Sequence, residues 1–174
     1  MIDRMVMKDC RRGHRNLNMA WVDVRKAYDT VDHKWLAESM DVHRFLYWLC
    51  RVIRQLLKSW NTKITVRTKC GTETSRTIRF IRGLPQGDAL CPRLFTLCLN
   101  PVAWLLNATE GYKLSKPIGR KITHLLYIDD LKVFSSSQTK LNTVLRSTYA
   151  AMNDIGLQLE EVQYCSCQER CSSE

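Results

Sequence analysis

Apolar and polar positions change period several times along the chain. Met1 to Arg12 reads as the tail of a helix, with Met5 and Val6 on its apolar side and a basic close at Arg11, Arg12, His14 and Arg15. Met19 to Val24 is almost continuously apolar and too short for a helix, so it reads as a buried strand with one acid, Asp23, near its end. Asp32 then caps a helix through Trp35 and Leu36. From Arg44 to Trp60 the period is helical: Phe45, Leu46, Leu49, Val52, Ile53, Leu56 and Leu57 recur at helix spacing, with Arg44, Arg51, Arg54 and Lys58 largely opposite. Lys63 to Arg67 and Arg76 to Arg82 alternate like two strands about a turn at Cys70-Gly71-Thr72. This places Ile64, Val66, Ile78 and Phe80 toward the core. Leu90 to Leu106 is the most apolar helix, with Pro101 as a kink, and is expected to be the main core helix. A short strand is expected near Tyr112. Gln138 to Gly156 is an amphipathic helix closed by Gly156.

Composition narrows the class. A length of 174 residues suits one domain with a real core, and 45% hydrophobic with 25% charged residues allows it to fold. The formal net charge of +10 favours a polyanionic partner, although solvated Lys and Arg also produce such an excess. No apolar run reaches membrane-spanning length and no signal-peptide core is visible, so an intracellular protein without a membrane partner is expected, its compartment open. The eight cysteines show no Cys-x-x-Cys pair, which argues for reduced thiols rather than a zinc site or disulfide framework.

Three stretches carry chemistry. In Leu125 to Phe134 two carboxylates, Asp129 and Asp130, stand side by side inside an apolar run. The simplest geometry is a hairpin with both acids at its turn. Adjacent anions repel, and a hard divalent cation with oxygen ligands, Mg2+ above all, would neutralise them. An Asx-type turn is the plainer alternative. The strand-end Asp23 offers a third acid, and three acids can hold two divalent ions about 3.5–4 Å apart, as in-line phosphoryl transfer requires. Between them, Arg82-Gly83-Leu84-Pro85-Gln86-Gly87-Asp88 marks a tight loop that lets backbone approach a ligand, followed by a helix capped near Asp88 with Pro92 in its first turn.

In this order and spacing the three stretches resemble the reverse transcriptases of non-LTR (LINE-type) retrotransposons: motif A around Asp23, motif B at Gly83-Leu84-Pro85-Gln86-Gly87, and motif C at Tyr127-Ile128-Asp129-Asp130. The resemblance runs from about Ile2 to Gly156. It implies an α+β fold, the palm subdomain of a right-hand polymerase, with an antiparallel sheet backed by helices. It also implies RNA-directed DNA polymerase activity on an RNA template, a DNA primer and deoxynucleoside triphosphates, with two Mg2+ ions (Mn2+ possible). By the same resemblance Asp23, Asp129 and Asp130 are catalytic metal ligands, joined by the backbone carbonyl of Val24. Tyr28 would lie under the incoming sugar and exclude a 2'-hydroxyl, with Gln86 and Gly87 near the nucleotide. Gly83, Pro85 and Tyr127 would face template and primer. Arg79 and Arg82 are template contacts or, equally, charges that protect a sheet edge.

The chain departs from the family after Gly156. The expected motif D lysine is missing from Gly156-Leu157-Gln158-Leu159-Glu160-Glu161-Val162-Gln163-Tyr164-Cys165. Residues 1–156 therefore read as the palm region, and residues 157–174 as a divergent, poorly ordered tail such as a frameshift would leave. The family's fingers and thumb are not recognisable, so the isolated chain is expected to be inactive or very weak. A non-catalytic nucleic-acid-binding remnant of a retroelement is the alternative. A metal-dependent nuclease fits less well, since it needs neither the glycine loop nor Tyr28. Oligomeric state is not legible.

Overall fold

The computed structural model describes residues 2–115 and 120–167. They fall into two compact units, one built from the residues up to Ala27 and from Leu99 onward, the other from Tyr28 to Cys98.

The first unit holds a four-stranded antiparallel sheet. Strand β1 (Leu17–Val24) lies between β10 (Leu159–Cys167) and β9 (Asp130–Ser135), and β8 (His124–Tyr127) pairs with the far edge of β9. Residues alternate between faces along a strand. Ala20, Val22 and Val24 of β1 are buried on one face, and helix α6 (Gln138–Asp154) packs against β1 and β9. On the other face Leu17 and Met19, with Phe134 opposite Met19, close onto Val6 and Cys10 of helix α1 (Ile2–Arg12). That cover ends further along β1, where Trp21 and Asp23 of the same face are exposed. Gly156 (φ 78°) ends α6, its N–H donating to Asn153 O and that of Leu157 to Met152 O, as the sequence leads one to expect. A small ladder, β6 (Tyr112–Lys113) with β7 (Lys121–Ile122), supplies the strand expected near Tyr112.

Asp9 ties α1 to this ladder. Tyr112 Oη donates to its Oδ2 at 3.0 Å and Ser115 N to its Oδ1 at 3.1 Å. Burial pushes the Asp9 carboxyl up, but those hydrogen bonds and the Arg15 charge outweigh it and hold the group below the usual carboxylate range. A carboxylate with a lowered native pKa stabilises the fold fully above its unfolded value near 4, and that stabilisation is lost as pH falls through the native value. Asp9→Asn should therefore destabilise the protein by about 1 kcal/mol at neutral pH and flatten the acid limb of stability against pH. Urea melts from pH 7 to 3 measure both; an unchanged acid limb would refute the assignment.

The second unit begins in a short helix, α2 (Ala27–Thr30), which leads into α3 (His33–Val42). Asp32 caps it by accepting from the Lys34 and Trp35 amides, as expected. Helix α4 (Tyr47–Ser59) is shorter than the apolar period suggests: it buries Cys50, Ile53 and Leu57 and leaves Leu46, Tyr47, Trp48 and Val52 exposed. The strand expectations need correcting. The hairpin is β3 (Thr65–Thr68) with β4 (Gly71–Thr74), and β2 (Asn61–Thr62) pairs with β5 (Ile78–Arg79). Ile64, Val66 and Ile78 are exposed, not core-facing: these ladders are two strands each, too small to bury a face of their own. Helix α5 (Cys91–Ala108) takes Pro92 in its first turn and contains Pro101 in its interior; Leu94, Phe95, Leu97, Leu99 and Val102 are buried as expected, and Leu105 is exposed.

The tail is a second correction. Leu159 to Cys167, expected to be poorly ordered, is an edge strand paired with β1 from Leu17↔Cys167 to Val24↔Leu159. Strand pairing is a backbone interaction, so it needs no apolar period in the paired segment. Residues 168–174, including Cys171, lie outside the described residues. Cys10, Cys50, Cys91 and Cys98 are buried free thiols, in line with the reduced state expected, and burial pushes Cys10 to about 11 and Cys98 to about 12.

Candidate active site

Beyond the cover of α1, the first unit presents a cleft of about 310 Å3 lined by Trp21, Asp23, Asp130 and Gln163, with Val22 and Leu131 between them. Strand register assembles it. Val22 pairs with Leu131, so Asp23 and Asp130 stand at the next step of the same antiparallel ladder. Trp21 pairs with Lys132 on one side and with Gln163 of β10 on the other. Across Asp23 the register between β1 and β10 shifts by one residue, from Val22↔Val162 to Val24↔Leu159. Such bulges re-aim side chains beside active sites.

The hairpin turn is tighter than a pair of acids at its tip. Tyr127 pairs with Asp130, so the two loop residues are Ile128 and Asp129, and Asp130 is already in β9. Ile128 has φ 56°, a conformation that costs a β-branched residue and is often held at functional sites. Asp129 is half-buried in the turn, and Tyr127 is exposed. Asp129 stands in the turn, outside the ladder, while Asp130 in β9 joins Asp23 on the cleft wall.

Lys132 lies two residues beyond Asp130, on the same face. Its side chain is 9% exposed, bonded to Asp3 of α1 and set over the Trp21 ring at 3.7 Å from the centroid, with Phe134 at 5.3 Å. Trp21 thereby becomes a fixed wall between this cleft and an apolar one of about 680 Å3, bounded by Ile2, Leu125 and Tyr127. Trp21, Lys132 and Gln163 were not legible as site residues. The first two stand two positions from a candidate acid, a spacing that announces a shared strand face; nothing in the sequence marks Gln163.

Carboxylate oxygens on adjacent strands are the right donors for a hard divalent cation. Among the described residues, however, no three His, Cys, Asp or Glu side chains form a group able to hold a metal. The expected three-acid cluster is thus not assembled here: two acids share the cleft and the third sits in the turn. The Val24 residue is buried, and the amide of Arg25, after it, donates to Gln158 O at 2.8 Å.

The glycine loop belongs to the second unit. Gly83 (φ 82°) donates to Val31 O at 2.8 Å, Leu84 N donates to Tyr28 O at 2.8 Å, and Gly83 O meets His33 Nε2 at 2.7 Å. Pro85 is half-buried; Gln86 and Gly87 (φ 94°) are exposed. Asp88 turns the chain into α5: its Oδ1 accepts from the Leu90 amide at 2.7 Å and its carbonyl from the Cys91 amide at 3.2 Å. Tyr28 stacks on Phe95, centroids 5.2 Å apart and planes at 21°. Arg79 and Arg82 are exposed, and Arg82 Nε donates to Thr30 O at 2.9 Å.

The reverse transcriptase (RNA-dependent DNA polymerase) family model matches residues 3–167. The Pol polyprotein of the type-1 retrotransposable element R2 of Nasonia vitripennis is 27% identical over 161 residues, covering 88% of this chain and 14% of the relative. That of Popillia japonica is 32% identical over 136 residues, covering 78% of this chain and 18% of the relative. The chain thus spans under a fifth of the length of these two curated relatives. Among solved structures, apo telomerase from Candida tropicalis, truncated from its C-terminal domain, superposes with a TM-score of 0.67 at 16% identity, over 98% of this chain and 35% of that one. Telomerase from Candida albicans with a fragment of telomeric RNA gives 0.65 at 12% identity, over 99% and 31%. At such identities the likeness speaks for fold, and it agrees with the α+β palm that the motifs imply. No helix among the described residues is long and apolar enough to cross a membrane.

Proposed function

Since this chain belongs to the reverse transcriptase (RNA-dependent DNA polymerase) family, we propose that it supplies the carboxylate-bearing palm of a retrotransposon's RNA-directed DNA polymerase. The observation that carries this reading is the cleft where Asp23 and Asp130 meet across β1 and β9, beside the turn that holds Asp129. In the reaction a primer 3'-oxygen attacks the α-phosphorus of a deoxynucleoside triphosphate, a new P–O bond forms, and pyrophosphate leaves. Asp23 and Asp130 are the residues that would hold Mg2+, or Mn2+, at the cleft; a second ion would need Asp129 and the Val24 carbonyl to join them, and the two ions would supply activation of the hydroxyl and charge neutralisation at the leaving group.

The chain's own contribution is position and fixed charge. Lys132 and Trp21 stiffen the wall on which Asp23 and Asp130 stand. Tyr28, whose ring stacks on Phe95, serves in this reading to refuse a 2'-hydroxyl. Gln86 and Gly87 present an exposed loop edge to the nucleotide, while Gly83 and Pro85 hold that loop against the Tyr28–Val31 turn and face the template. Exposed Tyr127 suits the primer terminus, and Arg79 and Arg82 suit template phosphates.

Primer extension on an RNA template with deoxynucleotides and Mg2+, by this chain and by Asp129→Asn, tests the reading. Synthesis by the first that the second lacks supports it. Tyr28→Val should raise ribonucleotide use relative to deoxynucleotide use by about tenfold or more; an unchanged ratio would remove Tyr28 from the nucleotide site. A non-catalytic nucleic-acid-binding protein is the second reading, favoured by the absence of a three-ligand group among the described residues. Strand binding without synthesis in any divalent metal would select it.

A further inference from the structure

Three cysteines of the first unit meet between helix α1 and the sheet. Residues paired across antiparallel strands point to the same face. Cys167 and Cys165 of β10 stand opposite Leu17 and Met19 of β1, whose side chains close onto α1, so both thiols face that helix as well. Cys10 of α1 lies in the same apolar cluster and is 1% exposed. The Cys167 thiol is within hydrogen-bonding reach of the Cys10 thiol, and both are free. The buried thiols of α5 are differently placed: Cys91 and Cys98 have carboxylates, Asp88 and Asp32, as their charged neighbours.

The two thiols differ in access. Cys10 is closed to solvent, and burial together with the Cys167 thiol pushes it up to about 11. Cys167 is half-buried at the end of β10, the edge strand of the sheet, so a small oxidant meets it first. An edge strand is held by pairing on one side only, and its end is where a sheet opens most easily. Cys10 Sγ donates to Arg15 O at 2.8 Å. Arg15 is exposed, so water replaces that donor at little cost once the Cys10 proton is lost.

We propose that Cys10 and Cys167 are a redox modification site, forming a reversible disulfide that staples α1 to the Cys167 end of β10. The oxidant is a small disulfide of the glutathione class. The Cys167 thiolate attacks one sulfur of glutathione disulfide, a mixed disulfide forms and one glutathione thiolate leaves. Cys10 then gives up its proton and its sulfur attacks Cys167 Sγ, which expels the second glutathione thiolate. Two protein thiols are oxidised and one glutathione disulfide is reduced to two thiols. The staple joins two elements that brace the carboxylate cleft: α1, whose Asp3 bonds the Lys132 set over Trp21, and β10, which carries Gln163. It lies wholly in the first unit and stands whether or not the polymerase reading does.

The experiment is equilibration of the full chain with mixtures of reduced and oxidised glutathione, in buffer and in urea, followed by acid quenching and peptide mapping by mass spectrometry. The Cys10–Cys167 bond should form in buffer with an equilibrium constant about thirtyfold or more above that in urea, because a bond that stabilises the fold is stabilised by it to the same extent. The oxidised chain should melt about 5 °C or more above the reduced one, and dithiothreitol should reverse the shift. Cys167→Ser, at a half-buried edge position, should abolish both the bond and the shift while melting like the reduced native chain. Cys10→Ala should abolish them from the other side, and Cys165→Ser should leave both in place. The proposal is overturned if no such bond forms in buffer, or if its equilibrium constant is no greater than in urea. It is equally overturned if Cys165→Ser removes the melting shift while Cys167→Ser keeps it, or if glutathione stays on Cys167 and Cys10 never displaces it.

Discussion

In the proposed polymerase, Asp23→Asn is expected to abolish whatever Mg2+-dependent nucleotidyl transfer the palm supports, by more than about a hundredfold, while leaving the fold as stable as before or slightly more so. The two halves of this expectation have one source. Asp23 is exposed on the cleft wall, makes no hydrogen bond or ion pair among the described residues, and stands at the ladder step shared with Asp130. Like charges opposite each other on adjacent strands are unfavourable, so removing one relieves repulsion. A group that weakens the fold where it stands is one whose use lies elsewhere, which on the proposed reading is holding a cation. Mg2+ should therefore raise the melting temperature of the native chain and not that of Asp23→Asn. Saturating a site at a hundred times its dissociation constant adds about 2.7 kcal/mol. Primer extension and thermal melts with and without Mg2+ read the two effects separately. An Mg2+-dependent rise in melting temperature that survives Asp23→Asn would put the metal away from Asp23, whatever the activity.

Gly83→Ala should be the most damaging single methyl in the second unit. Gly83 sits at φ 82°, and a Cβ there would lie 2.8 Å from Asp29 O and 3.1 Å from Asp29 C and Cα, all backbone atoms. The loop cannot back away, because Gly83 N is bonded to Val31 O and Gly83 O to His33. Left-handed backbone costs an L-residue about 1–2 kcal/mol, and the clash or the broken hydrogen bonds bring the total to about 3 kcal/mol or more. Gly87→Ala is the internal comparison. Its φ is 94°, but nothing lies within 4 Å of an added Cβ, so only the conformational cost of about 1–2 kcal/mol applies. Urea denaturation of both variants decides it. Equal midpoints would mean that the Asp29 contact is not rigid and that Gly83 is there for its conformation alone.

The difference between these two glycines was not visible in the sequence, where Gly83 and Gly87 are equal members of one loop. The same holds for other parts of the site. The acids at 23, 129 and 130 announced themselves by standing in apolar runs, but which of the adjacent pair shares the cleft with Asp23 depends on where the turn falls. Ile128 and Asp129 take the loop positions and put Asp130 into β9. Alternation predicted Ile64, Val66 and Ile78 as buried and they are exposed, because a period says which side is apolar and not whether another layer lies on it. Leu159 to Cys167 offered no apolar period and still became a strand, since the open edge of β1 pairs with backbone.

By itself the sequence determined what short-range physics controls: the strand ending in Asp23, the capped start at Asp32, the glycine loop and its following helix, the apolar hairpin, and the Gly156 stop. Each follows from the sterics and hydrogen bonding of a few neighbouring residues. It also carried the family, because three short motifs in a fixed order constrain residue type wherever the chemistry needs it. Tertiary structure alone decided that Asp23 faces Asp130, that Gln163 joins them from the tail, and that Lys132 locks Trp21 beside them. Those are matters of register and of which surfaces remain uncovered. Both are fixed by contacts between residues far apart in the chain, which no local pattern encodes.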